Sequence, residues 1–147
     1  MVIFDIDGFL MNVSEEKKQI LNNTNLQDIN WAVFLKDTQN TSPINAGIMI
    51  VKSFLNYLPQ MDIMFLTARS EISQDETLEW LSKNLCIDKN DIDLTMRPFD
   101  NIEKDVIFKE KVGKELGFSN IDLVFDDSPD IINMWIKHKV PCCQFFT

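Results

Sequence analysis

The chain has 147 residues, a net charge of −9 and three cysteines, Cys86, Cys142 and Cys143. That length suits one domain with a core of its own. The acidic balance argues against a protein that coats long nucleic acid, and no apolar run reaches the length of a membrane span, so no membrane partner is expected. Met1 is followed at once by Val-Ile-Phe-Asp, with no basic segment and no cleavable apolar region. The expectation is a cytoplasmic protein with reduced thiols.

Taken in chain order, short apolar runs alternate with amphipathic stretches. Residues 2–4, 63–66 and 121–125 suit strands buried on both faces of a parallel sheet. Residues 11–41 break the rhythm. They are rich in Asn, Lys, Glu and Asp around Trp31, Val33, Phe34 and Leu35, and suggest an insertion, a small cap or a plain surface excursion. Ser42 and Pro43 predict a helix start, with Ile44, Ile48, Val51, Leu55 and Leu58 on one face and Pro59 as its stop. Ser73 and Glu76 have capping-box spacing ahead of Leu78, Leu81 and Leu85. Residues 103–116 predict a helix ended by Gly117, and Ser128-Pro129 opens another that carries Ile132 and Trp135. Strands alternating with helices imply a layered α/β domain.

Each apolar run stops at polar residues: Asp5 and Asp7, then Thr67 and Arg69, then Asp126 and Asp127. In open α/β sheets ligands bind at the carboxyl ends of strands, so these groups are expected to share one crevice. Asp5 and Asp7 project to the same side of extended chain, and Gly8 permits a sharp turn beside them. Clustered carboxylates call for a cation, and magnesium suits hard oxygen donors. A calcium loop would need its glycine three residues beyond the second Asp and polar groups where Phe9 and Leu10 stand. The chemistry that fits such a set is phosphoryl transfer: one carboxylate attacks phosphorus and another moves the proton.

In order, Asp5-Ile-Asp7-Gly8, Leu66-Thr67-Ala-Arg69, a downstream lysine and Phe125-Asp126-Asp127 resemble the four motifs of the haloacid dehalogenase superfamily. Trp31…Phe34, Met96-Arg97-Pro98, Lys104-Asp105-Val106-Ile107-Phe108-Lys109, Asp126-Asp127-Ser128-Pro129…Met134-Trp135 and Val140-Pro-Cys-Cys-Gln144 look like the 3′-phosphatase domain of phage-type polynucleotide kinases. The resemblance implies a three-layer Rossmann-like α/β fold with a central parallel sheet and a small cap at about 11–41. It implies Asp5 as nucleophile, Asp7 as general acid/base, Thr67 and Lys109 on the phosphoryl group, and Gly8, Arg69 and Arg97 on the substrate side. Lys104 is the reserve lysine. It also implies Mg2+ on the Asp5 carboxylate, the Asp7 backbone carbonyl and the Asp126/Asp127 pair.

The substrate expected is the 3′-phosphate of a nucleic-acid end, or a nucleotide. A phosphotransferase and a catalytically silent phosphate-binding relative are the alternatives. The chain departs from the family at Phe9, where Thr or Val is usual, and in having no arginine within residues 9–35. It has no Gly-x-x-x-x-Gly-Lys-Ser/Thr loop, and no feature identifies a protein partner. His138, the only histidine, is expected to be solvated or paired at a helix end. Trp80 and Trp135 are expected in the core.

Overall fold

A computed structural model describes residues 1–12 and 41–146. The expected cap at about 11–41, with Trp31, lies almost wholly outside the described residues. The described strands are β1 (Val2–Phe4), β2 (Ile63–Ser70), β3 (Leu94–Arg97), β4 (Leu123–Asp126) and β5 (Cys142–Gln144). They form one sheet in the order β3-β2-β1-β4-β5, every pair parallel. The described helices are α1 (Asn45–Tyr57), α2 (Gln74–Leu85), α3 (Asp105–Leu116) and α4 (Pro129–Lys137). The chain builds outward from β1 to β3, then returns to the other side of β1 for β4. That return makes the crevice above β1 and β4 a topological switch point, where open α/β sheets bind ligands.

The two faces of the sheet bury separate cores because successive strand side chains alternate. Val2, Phe4 and Phe65 pack with Ile48 and Val51 of α1 and with Trp80, Leu81 and Leu85 of α2. Ile3, Met64, Leu66 and Val124 pack with Phe108 and Val112 of α3 and with Ile131, Met134 and Trp135 of α4. Phe4 stands at the centre of the first core, its ring stacked 5.1 Å from Phe125 and 5.8 Å from Phe9. Fully burying one such ring contributes about 1.5–3 kcal/mol. Phe9, the family departure, is thus a core residue with no exposed surface.

Two capping expectations need correction. Helix α1 starts at Asn45 with Ile44 as its cap and no side-chain cap bond. Ser42 and Pro43 are extended instead, because Pro43 bridges Met11 and the Ile44 N–H donates to the Leu10 carbonyl at 2.7 Å. Ser73 does precede α2, but its hydroxyl donates back to the Ser70 carbonyl at 2.9 Å. The intervening Glu71–Ser73 turn takes up the geometry a capping box would need, and Ser70 caps that turn. Ser128 precedes α4 without a side-chain cap bond, while Pro129 does open the helix. Helix α3 ends at Gly117 with φ +78°, as its sequence predicts.

Candidate active site

The alternation that builds the two cores also aims the carboxylates. Asp5 follows Ile3 by two residues and Asp126 follows Val124 by two, so both extend the row that faces α3 and α4. Lys109 comes down from α3, next to the core residue Phe108, to meet them. Its Nζ donates to Asp5 Oδ1 at 2.6 Å and to Asp126 Oδ2 at 2.7 Å. All three residues are buried, at 5%, 2% and 1% exposure for Asp5, Lys109 and Asp126. A buried ammonium this deep persists only because its partners are charged and close. Burial alone would lower the Lys109 pKa, but the Asp5 and Asp126 charges outweigh it and raise it. Lys104 stays exposed at the start of α3, so of the two lysines Lys109 is the one that reaches the site.

Asp126 spends its second oxygen on the N-terminus of α4, where the Ser128 N–H donates to Oδ1 at 2.9 Å. Asp127 leans toward β1. A Cβ placed on Gly8 would lie 2.0 Å from Asp127 Oδ2, and Gly8 has φ +81°. Both the space and the backbone conformation there disfavour any other residue. Gly8 therefore serves the approach of Asp127 to the Asp5 strand end, a role the sequence alone does not show. Carboxylate oxygens of Asp5, Asp126 and Asp127 all come within 4.8 Å of one another. Burial holds the Asp5 carboxyl well above its ordinary value; Lys109 opposes this, while the Asp126 and Asp7 charges add to it. Burial and then the Asp126 charge raise Asp127 likewise. Such a cluster carries surplus negative charge that a cation would neutralise.

Asp7 lies beyond the end of β1, near enough to Asp5 for its charge to act there. The strand ends at Phe4, and Leu10 and Met11 N–H groups both return to the Ile6 carbonyl, which turns the chain. The Asp7 carboxylate faces the end of β2. Arg69 Nε and Nη2 donate to its two oxygens at 2.7 and 2.6 Å, and Thr67 Oγ1 donates at 3.2 Å. Burial acts to raise Asp7, but the Arg69 charge and hydrogen bonds win and hold it below its ordinary value.

Arg97 is 5% exposed at the end of β3. Its Nη2 pairs with Asp105 of α3, its guanidinium lies 5.8 Å from the Phe108 ring centroid, and its Nε has no hydrogen-bond partner among the described residues. The sequence reading assigned no role to Asp105 or Phe108. Arg97 and Asp105 are eight residues apart across a strand end and a helix start, a separation that no periodicity connects.

A five-stranded parallel sheet with helices on both faces and strand-end carboxylates around a buried lysine defines the phosphatase-type α/β fold of the haloacid dehalogenase hydrolases. The chain belongs to the family of polynucleotide kinase PNKP phosphatase domains, whose profile matches residues 1–146. It is 36% identical over 81 residues to a putative bifunctional polynucleotide kinase/RNA ligase of Autographa californica nuclear polyhedrosis virus. That match takes in 54% of this chain and 11% of the viral protein. A chain of the Pnkp1/Rnl/Hen1 RNA repair complex superposes with a TM-score of 0.71 at 21% identity, over 98% of this chain and 41% of that one. A haloacid dehalogenase hydrolase from Entamoeba histolytica HM-1:IMSS gives 0.59 at 15% identity, over 96% and 81%. The class C acid phosphatase of Bacillus anthracis gives 0.56 at 16%, over 88% and 52%. The chain thus spans about a tenth of the viral relative and under half of the repair-complex chain.

Proposed function

We propose that this domain is a magnesium-dependent phosphomonoesterase acting through an aspartyl-phosphate, on the 3′-phosphate of a nucleic-acid end or on a nucleotide. The observation that carries the reading is the buried Lys109 ammonium held between Asp5 and Asp126, with Asp127 oxygens beside them. Four carboxylates (Asp5, Asp7, Asp126 and Asp127) meet two cations (Lys109 and Arg69), a deficit that one divalent ion balances. An all-oxygen donor set suits magnesium. Asp5, Asp126 and Asp127 would hold it by their carboxylates, with the Asp7 backbone carbonyl adding a neutral donor. When bound it supplies positive charge to the phosphoryl oxygens.

A carboxylate oxygen of Asp5 attacks phosphorus, forming an acyl phosphate as the bond from phosphorus to the ester oxygen breaks. Lys109 neutralises charge on the phosphoryl oxygens, and the Thr67 hydroxyl donates to one of them. Asp7 gives its proton to the departing alkoxide, then takes one from the water that opens the acyl phosphate and releases inorganic phosphate. Asp7 begins as a carboxylate, because Arg69 grips both its oxygens. An incoming phosphate monoester competes for the same fork. Once Arg69 turns to the phosphate, burial is left as the main influence on Asp7 and favours its uptake of a proton from solvent, the proton it then gives to the alkoxide.

The test is a panel of 3′-phosphorylated oligonucleotides, mononucleotides and p-nitrophenyl phosphate, assayed with and without magnesium. Turnover that requires magnesium, falling about 10⁴-fold or more in Asp5→Asn, is the expected result. Acid-quenched protein should carry labelled phosphate only when Asp5 is intact. No turnover of any phosphomonoester would overturn the reading.

A further inference from the structure

Strand β3 ends at Arg97 and runs directly into a turn in which the Asn101 N–H donates to the Pro98 carbonyl at 3.0 Å. Phe99 stands on that turn with 66% of its surface exposed. A lone exposed apolar residue is ordinary. Here Ile102, at 65%, shares the loop, and Ile72, at 43%, lies on the loop after β2. The two loops are joined by the Phe99 N–H donating to Glu71 Oε1 at 3.1 Å. The far side of the turn is braced as well: the Glu103 N–H donates to Asn101 Oδ1 at 2.9 Å, and Lys111 pairs with Glu103. The aromatic ring is thus presented to solvent by backbone tied down on both sides, which limits the entropy lost when something binds it.

The position relates this patch to the site. Arg97 is in register with Ser70, so the turn rises from the same carboxyl rim as Thr67 and Arg69. Strand β3 lies two strand spacings from β1, roughly 10 Å. That is comparable to the reach of a nucleoside phosphate whose phosphorus sits over Asp5. Between the two, Arg97 keeps a buried Nε with no partner among the described residues. The −9 charge opposes a grip on phosphate backbone, whereas stacking uses no charge and needs only the face of a base.

The geometry points to Phe99 as a stacking platform for the nucleobase of the nucleotide whose phosphate is removed, with Ile72 and Ile102 as its apolar flanks. This inference rests on the phosphatase reading above and adds a base-recognition subsite to it.

The experiment compares a 3′-phosphorylated oligonucleotide with the same strand whose terminal nucleotide lacks its base but keeps the sugar phosphate. With magnesium present, wild type should favour the base-bearing strand about tenfold in kcat/KM, within the roughly 5- to 150-fold range of a single base–aromatic stack. Phe99→Ala should bring that ratio to about one, and Phe99→Tyr should restore it. Tyr57→Ala removes another exposed aromatic, from the far end of α1, and should keep the full ratio. A wild type that treats both strands alike, or a Phe99→Ala variant that keeps the preference, overturns the inference and leaves the phosphatase reading standing. If wild type turns over neither strand nor any other phosphomonoester, the phosphatase reading fails and the inference falls with it.

Discussion

Arg69 holds Asp7 in a two-point grip, Nε to Oδ2 at 2.7 Å and Nη2 to Oδ1 at 2.6 Å. The pair spans the ends of β1 and β2 and ties the carboxylate proposed to move the proton to the arginine that would meet the substrate. Arg69→Ala should lower kcat about 10²- to 10³-fold, the usual cost of removing one preorganised donor from a developing charge. Arg69→Lys should recover little of it, because an ammonium cannot reproduce the planar fork. Steady-state kinetics on a 3′-phosphorylated oligonucleotide checks both, and an Arg69→Lys variant equal to wild type would refute the two-point role.

Lys109 separates Asp5 from Asp126 at the bottom of the crevice. Lys109→Met leaves two buried carboxylates facing each other without their shared cation, a loss on the order of 3–5 kcal/mol. In chelator the variant should melt at least about 5 °C below wild type. Magnesium should then raise its melting temperature more than it raises that of wild type, because the ion meets a more negative site. Thermal denaturation with and without the ion tests this independently of turnover.

Gly8, beyond the end of β1, lies against the Asp127 carboxylate. Gly8→Ala would put a methyl group against the Asp127 carboxylate and force a non-glycine residue to φ +81°. The backbone strain alone costs about 1–3 kcal/mol. The variant should bind magnesium about tenfold or more weakly as Asp127 is pushed aside, read by calorimetric titration. Unchanged magnesium affinity would show that Asp127 does not belong to the ion site.

His138 and Glu110 pin α4 to α3, with Nε2 2.6 Å from Oε1 and the imidazole stacked 3.9 Å from the Phe118 ring. The histidine is thus paired at a helix end, as its sequence position suggested. Its hydrogen bond is the main reason the Glu110 carboxyl sits below its ordinary value; burial opposes this, and the Lys114, His138 and Lys137 charges assist. A carboxyl lowered in the folded state contributes stability above its unfolded pKa of about 4.3, and that stability is lost as pH falls through the lower folded value. Metal-free wild type should therefore lose melting temperature between about pH 4.5 and pH 3 more steeply than Glu110→Gln. Parallel curves for the two proteins would refute the coupling.

The legible parts of this protein were those written in local pattern. Residues 2–4 and 63–66 showed as strands because their apolar runs are continuous and largely buried, and the run at 121–125 marked β4 two residues early, since the strand is Leu123–Asp126. Strands β3 and β5 did not: Leu94–Arg97 mixes Thr and Arg with its apolar residues, and Cys142–Gln144 lies at a sheet edge with none of its three residues fully buried. The helix start at Ser42 was misplaced, and Ser73 precedes its helix without the expected cap bond, because both hydroxyls have competing partners that only the folded chain supplies.

The sequence by itself determined the α/β class, the strand ends at which Asp5, Thr67 and Asp126 gather, and the choice of Lys109 through its family pattern. These follow from side-chain alternation and from motifs carried on contiguous residues. Tertiary structure alone decided that Arg69 grips Asp7, that Gly8 makes room for Asp127, and that Arg97 pairs with Asp105 over Phe108. It also decided that Phe99 faces solvent at the rim of the site instead of the core. Each of these depends on distances between segments far apart in the chain, and those distances exist only once the sheet has ordered its strands and the helices have packed on both its faces.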